Sequence, residues 1–142
     1  MTTRRGFIKS GCAACLMVAA GATLLESCAT PLPMLKVAGS KPGEIRVGTE
    51  NFIPGKVNGI VVRSKQSEFD ILVLKTGETY KALYLKCTHE GYNLTATANR
   101  IYCSSHGSSF DLDGKVLKEP ALRPLKTFKT ELIDNQVVIY LS

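Results

Sequence analysis

Both histidines of this 142-residue chain stand just after a cysteine, in Cys87-Thr88-His89 and Cys103-Ser104-Ser105-His106. Those four side chains are the ones whose types and spacing suit chemistry. The other cysteines, Cys12, Cys15 and Cys28, fall in an N-terminal segment that reads as an address. The folded domain therefore keeps Cys87 and Cys103, with or without Cys28. Two cysteines in an oxidising compartment default to a disulfide, but a disulfide leaves both histidines without a role. Two thiolates and two imidazoles can instead hold a tetrahedral zinc ion, or a [2Fe–2S] cluster in which two histidines replace two cysteines on one iron. Order and spacing separate these. A zinc finger usually draws two cysteines from one knuckle and two histidines from one helix. Here each loop supplies one of each, with thirteen residues between His89 and Cys103. Two such loops facing each other put both sulfurs on one iron and both imidazoles on the other. The cluster gives all four residues a role, with the zinc site and the disulfide as the alternatives that the residues alone leave.

Short β-prone runs surround these loops and must position them. Gly59–Arg63, Ile71–Lys75 and Tyr80–Leu85 are each bounded by Gly, Ser, Glu or Asp, the punctuation expected of strands. Arg100-Ile101-Tyr102 leads into the second loop, and Phe110-Asp111-Leu112 leaves it for a turn at Asp113-Gly114. Thr127–Ile133, a turn at Asp134-Asn135 and Val137–Leu141 read as a closing hairpin. Nothing after residue 30 carries a helical period, so the fold class is all-β. Apolar residues make up 44% of the chain, enough for one ordinary core, and the length suits one domain with a short appendage.

The appendage reads as a signal. Thr3-Arg4-Arg5-Gly6-Phe7-Ile8-Lys9 has the form of a twin-arginine export motif, followed by the weakly apolar stretch Gly11–Leu25. That route carries folded proteins, which suits a chain whose cofactor is inserted before export. Leu25-Glu26-Ser27-Cys28 resembles a lipoprotein box, with Glu26 departing from the small residue usual there. The alternatives are cleavage after Ala29 or retention of the signal as an anchor, so a membrane tether would run through Cys28 or the uncleaved N-terminus. Residues 1–29 thus form the signal or anchor, 30–43 a tether marked by Pro31, Pro33 and Pro42, and 44–142 the domain. No run of roughly 18 apolar residues occurs, so a dedicated spanning helix is not expected. Of the net charge of +6, residues 1–29 contribute +2 through Arg4, Arg5 and Lys9 against Glu26. The remaining +4 forms no basic cluster or stripe, so nucleic acid is not an expected partner.

Residues 87–110 resemble the Rieske iron–sulfur proteins: Cys87-Thr88-His89 matches the first cluster loop and Cys103-Ser104-Ser105-His106-Gly107-Ser108 the second. A looser likeness in strand pattern runs from about Gly43 to Leu141. The resemblance implies a β-sandwich base with a smaller inserted cluster-binding subdomain. It implies one [2Fe–2S] cluster per chain, with Cys87, His89, Cys103 and His106 as metal ligands. Gly107 would let the backbone approach the cluster, and the Ser108 hydroxyl would bond to a bridging sulfide. Phe110 stands where high-potential members have a tyrosine that donates to a ligand sulfur, and Phe110 cannot donate. Thr88 and Asp111 read as structural.

Departures from the family pattern refine the expectation. In the Rieske subunits of cytochrome bc complexes each loop carries an extra cysteine, and the pair forms a disulfide; Tyr92 and Ser105 occupy those positions here. The loops are similar to those of disulfide-free Rieske ferredoxins. Glu90 replaces the apolar residue that commonly follows the first histidine, which disfavours an apolar quinol pocket. Glu119-Pro120 stands where the family often has Gly-Pro, and Pro120 and Pro124 are expected to cover the cluster. The expected function is one-electron transfer without substrate chemistry, as a small carrier in the periplasm or on the outer face of the cytoplasmic membrane. Its partners would be redox proteins such as a c-type cytochrome or a membrane oxidoreductase. The alternative is an iron–sulfur subunit of a membrane-associated respiratory oxidoreductase, beside a cytochrome b or a molybdenum subunit.

Overall fold

The computed structural model describes residues 31–38, 41–53, 55 and 58–142. The twin-arginine motif, Cys28 and the expected cleavage sites lie outside these residues. Strands run in the order β1 (Met34–Val37), β2 (Glu44–Gly48), β3 (Gly59–Ser64), β4 (Ile71–Thr76), β5 (Thr79–Tyr84), β6 (Thr95–Ala96), β7 (Ile101–Tyr102), β8 (Ser109–Phe110), β9 (Val116–Lys118), β10 (Thr127–Ile133) and β11 (Gln136–Tyr140). Among the described residues the one helical element is a 3₁₀ turn at Thr49–Asn51. The all-β expectation holds.

Seven strands make the base, in the order β1-β3-β4-β5-β10-β11-β2. β10 serves two layers: Thr127 and Phe128 pair with β5, while Lys129 to Ile133 pair with β11. One long strand crossing from layer to layer turns a single sheet into a sandwich that almost closes on itself. The hairpin β10–β11 closes at Asp134 and Asn135, with φ of 49° and 58°. Positive φ at both central residues is what a two-residue hairpin turn needs, and Asp and Asn tolerate it best among residues with a side chain.

A second sheet, β6-β7-β8-β9, is inserted between β5 and β10. Its presence explains why β3 and β4 are apolar without alternation. Ile60, Val62, Ile71 and Val73 face the interior of the sandwich with Ile45, Val47, Val137 and Ile139. Val61, Leu72, Leu74 and Leu83 face the other way, into a second core shared with Ile101, Phe110, Ala121 and Leu125 of the insert. Strands covered on both faces read as continuous apolar runs. Each such side chain contributes roughly 1.5–3 kcal/mol on burial. The base therefore holds the insert by the reverse face of its central strands, and Cys87 and Cys103 belong to that shared core.

One expectation is corrected. Residues 34–37, within the stretch that three prolines marked as a tether, form β1 and run parallel to β3, pairing Met34 with Val61 through Val37 with Ser64. The prolines sit outside the paired residues, at Pro31, Pro33 and Pro42, which an edge strand permits. Leu32 packs on the core that holds the cysteines, and Leu35 and Val37 on the sandwich interior. Those apolar side chains give the strand its reason to dock.

Candidate metal centre

Each cysteine–histidine pair occupies the tip of a β-hairpin. In the first, Lys86 bridges Asn93, and Leu94 N–H donates to the carbonyl of Leu85 (3.1 Å). In the second, β7 and β8 pair Tyr102 with Ser109 and Ile101 with Phe110. Both tips then close by the same two hydrogen bonds. Cys87 N–H donates to Tyr92 O and Gly91 N–H to Cys87 O, each at 2.8 Å. Cys103 N–H donates to Ser108 O at 2.8 Å and Gly107 N–H to Cys103 O at 3.1 Å. The fifth residue of each tip is a glycine in the left-handed region, Gly91 at φ 73° and Gly107 at φ 80°. A side chain there is strained. A Cβ on Gly107 would meet nothing within 4 Å, so among the described atoms that glycine is required by its φ and not by a close neighbour. Gly91 was not singled out in the sequence, although it repeats the Cys-x-x-x-Gly interval of the second loop.

The hairpin tips bring the four residues together in two layers. Cys87 and Cys103 are 2% exposed, free of any disulfide, and belong to one core cluster. Burial acts to raise the Cys103 thiol pKa. The His106 and Ser105 N–H groups, the Cys87 thiol and the Ser105 hydroxyl outweigh it and hold the thiol below its ordinary value. Amide N–H groups aimed at sulfur favour the thiolate, the form that binds metal. His89 and His106 lie outside this layer, their rings edge-to-face with centroids 5.0 Å apart. Their side chains are 29% and 35% exposed. The site thus has a dry sulfur side and a wet nitrogen side.

The surrounding residues hold the two tips against a third loop, 119–126. Thr88 Oγ1 donates to the carbonyl of Arg123 at 2.7 Å. Ser108, fully buried, accepts from Ala121 N–H at 3.0 Å. Because that oxygen is the acceptor, its own proton remains to be donated, and among the described residues no acceptor takes it. A buried hydroxyl with a proton left to donate, in the residue that closes the second tip, fits a sulfide-bearing cluster. Phe110 is fully buried in the core with the cysteines, and Asp111 organises its turn by accepting from Asp113 and Lys115 N–H. Pro124 lines a cleft beside the first tip, and Pro120 is half-buried. Tyr92 stacks edge-to-face on His106 with centroids 5.3 Å apart. The Ser105 hydroxyl is one of the groups that lower the Cys103 thiol pKa. The positions that would carry a disulfide thus contribute an aromatic contact and a hydroxyl donor.

A family model described as the Rieske [2Fe–2S] domain matches residues 44–129. The chain is 26% identical over 144 aligned positions to the cytochrome b6-f complex iron–sulfur subunit of Chlorobaculum tepidum, covering 98% of this chain and 76% of that protein. It is 26% identical over 98 residues to the subunit of the same description from Chlorobaculum thiosulfatiphilum, covering 68% of this chain and 52% of that protein. The solved complex of reduced oxygenase and oxidised ferredoxin in carbazole 1,9a-dioxygenase superposes with a TM-score of 0.53 at 22% identity, over 71% of this chain and 95% of that one. That last likeness is one of fold.

Proposed function

The chain belongs to the Rieske [2Fe–2S] family and is an electron carrier with one such cluster, and from that premise we propose that Cys87 and Cys103 bind one iron, His89 and His106 the other, in a small periplasmic carrier. When bound, the cluster supplies a one-electron couple and transfers no atoms. The observation that carries the ligand reading is the pairing of two free, buried thiols with two half-exposed imidazoles on twin hairpin tips. Nε2 of both rings faces outward to Glu90, which leaves Nδ1 for iron. Cys87 and Cys103 would keep water from the sulfur side, and His89 and His106 would form the edge where electrons cross. Ser108 would donate its free proton toward a cluster sulfur, a bond that favours the more negative, reduced state. His89→Ala and His106→Ala are each expected to abolish the Rieske EPR signal; an unchanged signal in either removes the assignment.

The carrier reading rests on Glu90 at the exposed edge and on the missing pair of extra cysteines, while the twin-arginine motif fits a carrier and a subunit alike. A membrane tether through Cys28 or the uncleaved signal is compatible with it. The second reading, a subunit of a membrane oxidoreductase, draws support from the likeness to cytochrome b6-f iron–sulfur subunits. Fractionation of cells expressing the full chain and its Cys28→Ser variant tests location. Wild type with the membranes and the variant in the soluble periplasm supports a lipid tether. A wild-type protein that migrates in a large complex on native gels favours the subunit.

A further inference from the structure

Glu90 straddles the nitrogen side of the centre. Its Oε1 lies 3.9 Å from His89 Nε2 and its Oε2 3.6 Å from His106 Nε2. The side chain is 52% exposed, so a surface carboxylate sits across both imidazole edges. Among the described residues no lysine or arginine pairs with it. We propose that Glu90 determines partner specificity at the electron-exchange edge: its charge favours redox partners that present cationic groups and disfavours anionic ones. This deepens the ligand reading above and rests on it.

The argument is one of position. The cysteines are 2% exposed, so the shortest way out of the centre runs through His89 and His106. A partner that covers the Nε2 edges of the two rings touches Glu90 as well, whereas the cleft on the other side of His89 is lined by cations. Glu90 lies 3.6 and 3.9 Å from the ring nitrogens, so a partner in contact with those edges falls within the screening length of about 10 Å at 0.1 M salt and feels its charge. A partner that covers Glu90 without a countercharge must bury an unpaired carboxylate, the kind of penalty that excludes wrong partners. The opposing field comes from the other side of His89, which lines the same cleft as three cations. Lys86, Arg123 and Lys126 line the cleft beside Thr88, Lys86 leaning on Glu68 at 3.7 Å, and the whole chain carries +6. Net charge alone therefore predicts a preference for anions, and Glu90 predicts the reverse at the contact itself.

Two small reagents separate these effects. The dithionite-reduced holoprotein is oxidised at pH 7 and low ionic strength by ferricyanide, an anion, and by tris(phenanthroline)cobalt(III), a cation; each accepts one electron. Wild type, Glu90→Gln and Glu90→Lys are compared with Glu78→Gln, which removes the same charge from the exposed turn between β4 and β5, at the far end of that hairpin. Glu90→Gln is expected to raise the ratio of ferricyanide to cobalt rates by roughly three- to tenfold. Glu90→Lys should raise it further, and Glu78→Gln should change it much less. Any change in driving force acts on both reagents alike and largely cancels in the ratio. A ratio that Glu90→Gln moves no more than Glu78→Gln, in protein whose Rieske EPR signal is intact, overturns this inference alone. A wild-type holoprotein without that signal overturns the ligand reading, and this inference with it.

Discussion

The tip that begins at Cys87 and the tip that begins at Cys103 share a backbone and differ in their attachments. Each is a six-residue turn closed by an N–H from its cysteine and an N–H back to it, with a left-handed glycine at the fifth place. Around that common frame, the first tip is tied to loop 119–126 through Thr88, a surface hydroxyl that donates to a carbonyl. The second is tied through Ser108, a fully buried hydroxyl that accepts from an N–H. The direction of those two bonds matters. Thr88 donates its proton to the scaffold, whereas Ser108 accepts from it and leaves its own proton to be donated. Both tips are thus anchored mechanically, and under the proposed ligand set the second would also be coupled electrically to the cluster.

Substituting the two hydroxyls separates these roles. Ser108→Ala removes a donor to a sulfur, and a hydrogen bond to a charged group contributes roughly 1.5–3 kcal/mol. At about 59 mV per tenfold for one electron, the midpoint should fall by up to roughly 65–130 mV. Thr88→Val removes a bond of the neutral kind, about 1 kcal/mol, and should lower the melting temperature with little change in midpoint. Protein-film voltammetry and calorimetry on both variants check the pair. A midpoint in Ser108→Ala equal to that of wild type would mean that the buried proton points elsewhere.

The glycines test what the tips share. Gly91→Ala and Gly107→Ala each force a left-handed side chain, a cost of roughly 1–2 kcal/mol, and should destabilise the holoprotein by similar amounts. A Cβ on Gly91 would also stand 3.2 Å from Lys86 Cε, but that is a flexible side chain that can yield. Chemical denaturation monitored by loss of the cluster's visible absorbance compares them. Unequal losses would break the equivalence of the two frames.

How far the molecule was legible follows from where its signals lie in the chain. Ile71–Lys75 is plain in the residues as an apolar run bounded by turns, and Thr127–Ile133 by its β-prone residues and the Asp134-Asn135 turn that follows. β6 and β9 are two and three residues long, too short to carry a period. β1 is hidden among prolines, because its stabilisation comes from docking on β3 and not from its own pattern. At the centre, the four Cys and His residues announce themselves by type and pairing. The bonds from Thr88 to Arg123 and from Ala121 to Ser108 join positions 35 and 13 residues apart, and nothing local foretells them. Gly107 is read with the second loop's motif, and Gly91 has a readable signal of its own in the repeated interval from its cysteine.

The smallest effect concerns how the insert is held to the base. Lys81 of β5 pairs with Asp113 in the turn between β8 and β9, so one ion pair joins the two sheets outside their shared core. Both groups are substantially exposed, at 39% and 59%, and pairs of that kind contribute little. The hydrogen bond from Lys81, followed by its charge, nevertheless lowers the Asp113 carboxyl pKa. A carboxylate whose folded pKa is depressed adds stability that is fully present above its unfolded pKa and is lost as pH falls through the folded one. Lys81→Met should therefore melt slightly below wild type at neutral pH, and the gap should close as pH falls through the acid side of the carboxylate range. Added salt should narrow the gap at neutral pH by screening the pair. The shared core of Val61, Leu72, Leu83, Ile101 and Phe110 is untouched by the substitution, so the twin tips and the midpoint should be unchanged. A shift in midpoint comparable to that of Ser108→Ala would show that the base couples electrically to the centre, and the distinction between anchoring and coupling would then have to include Lys81.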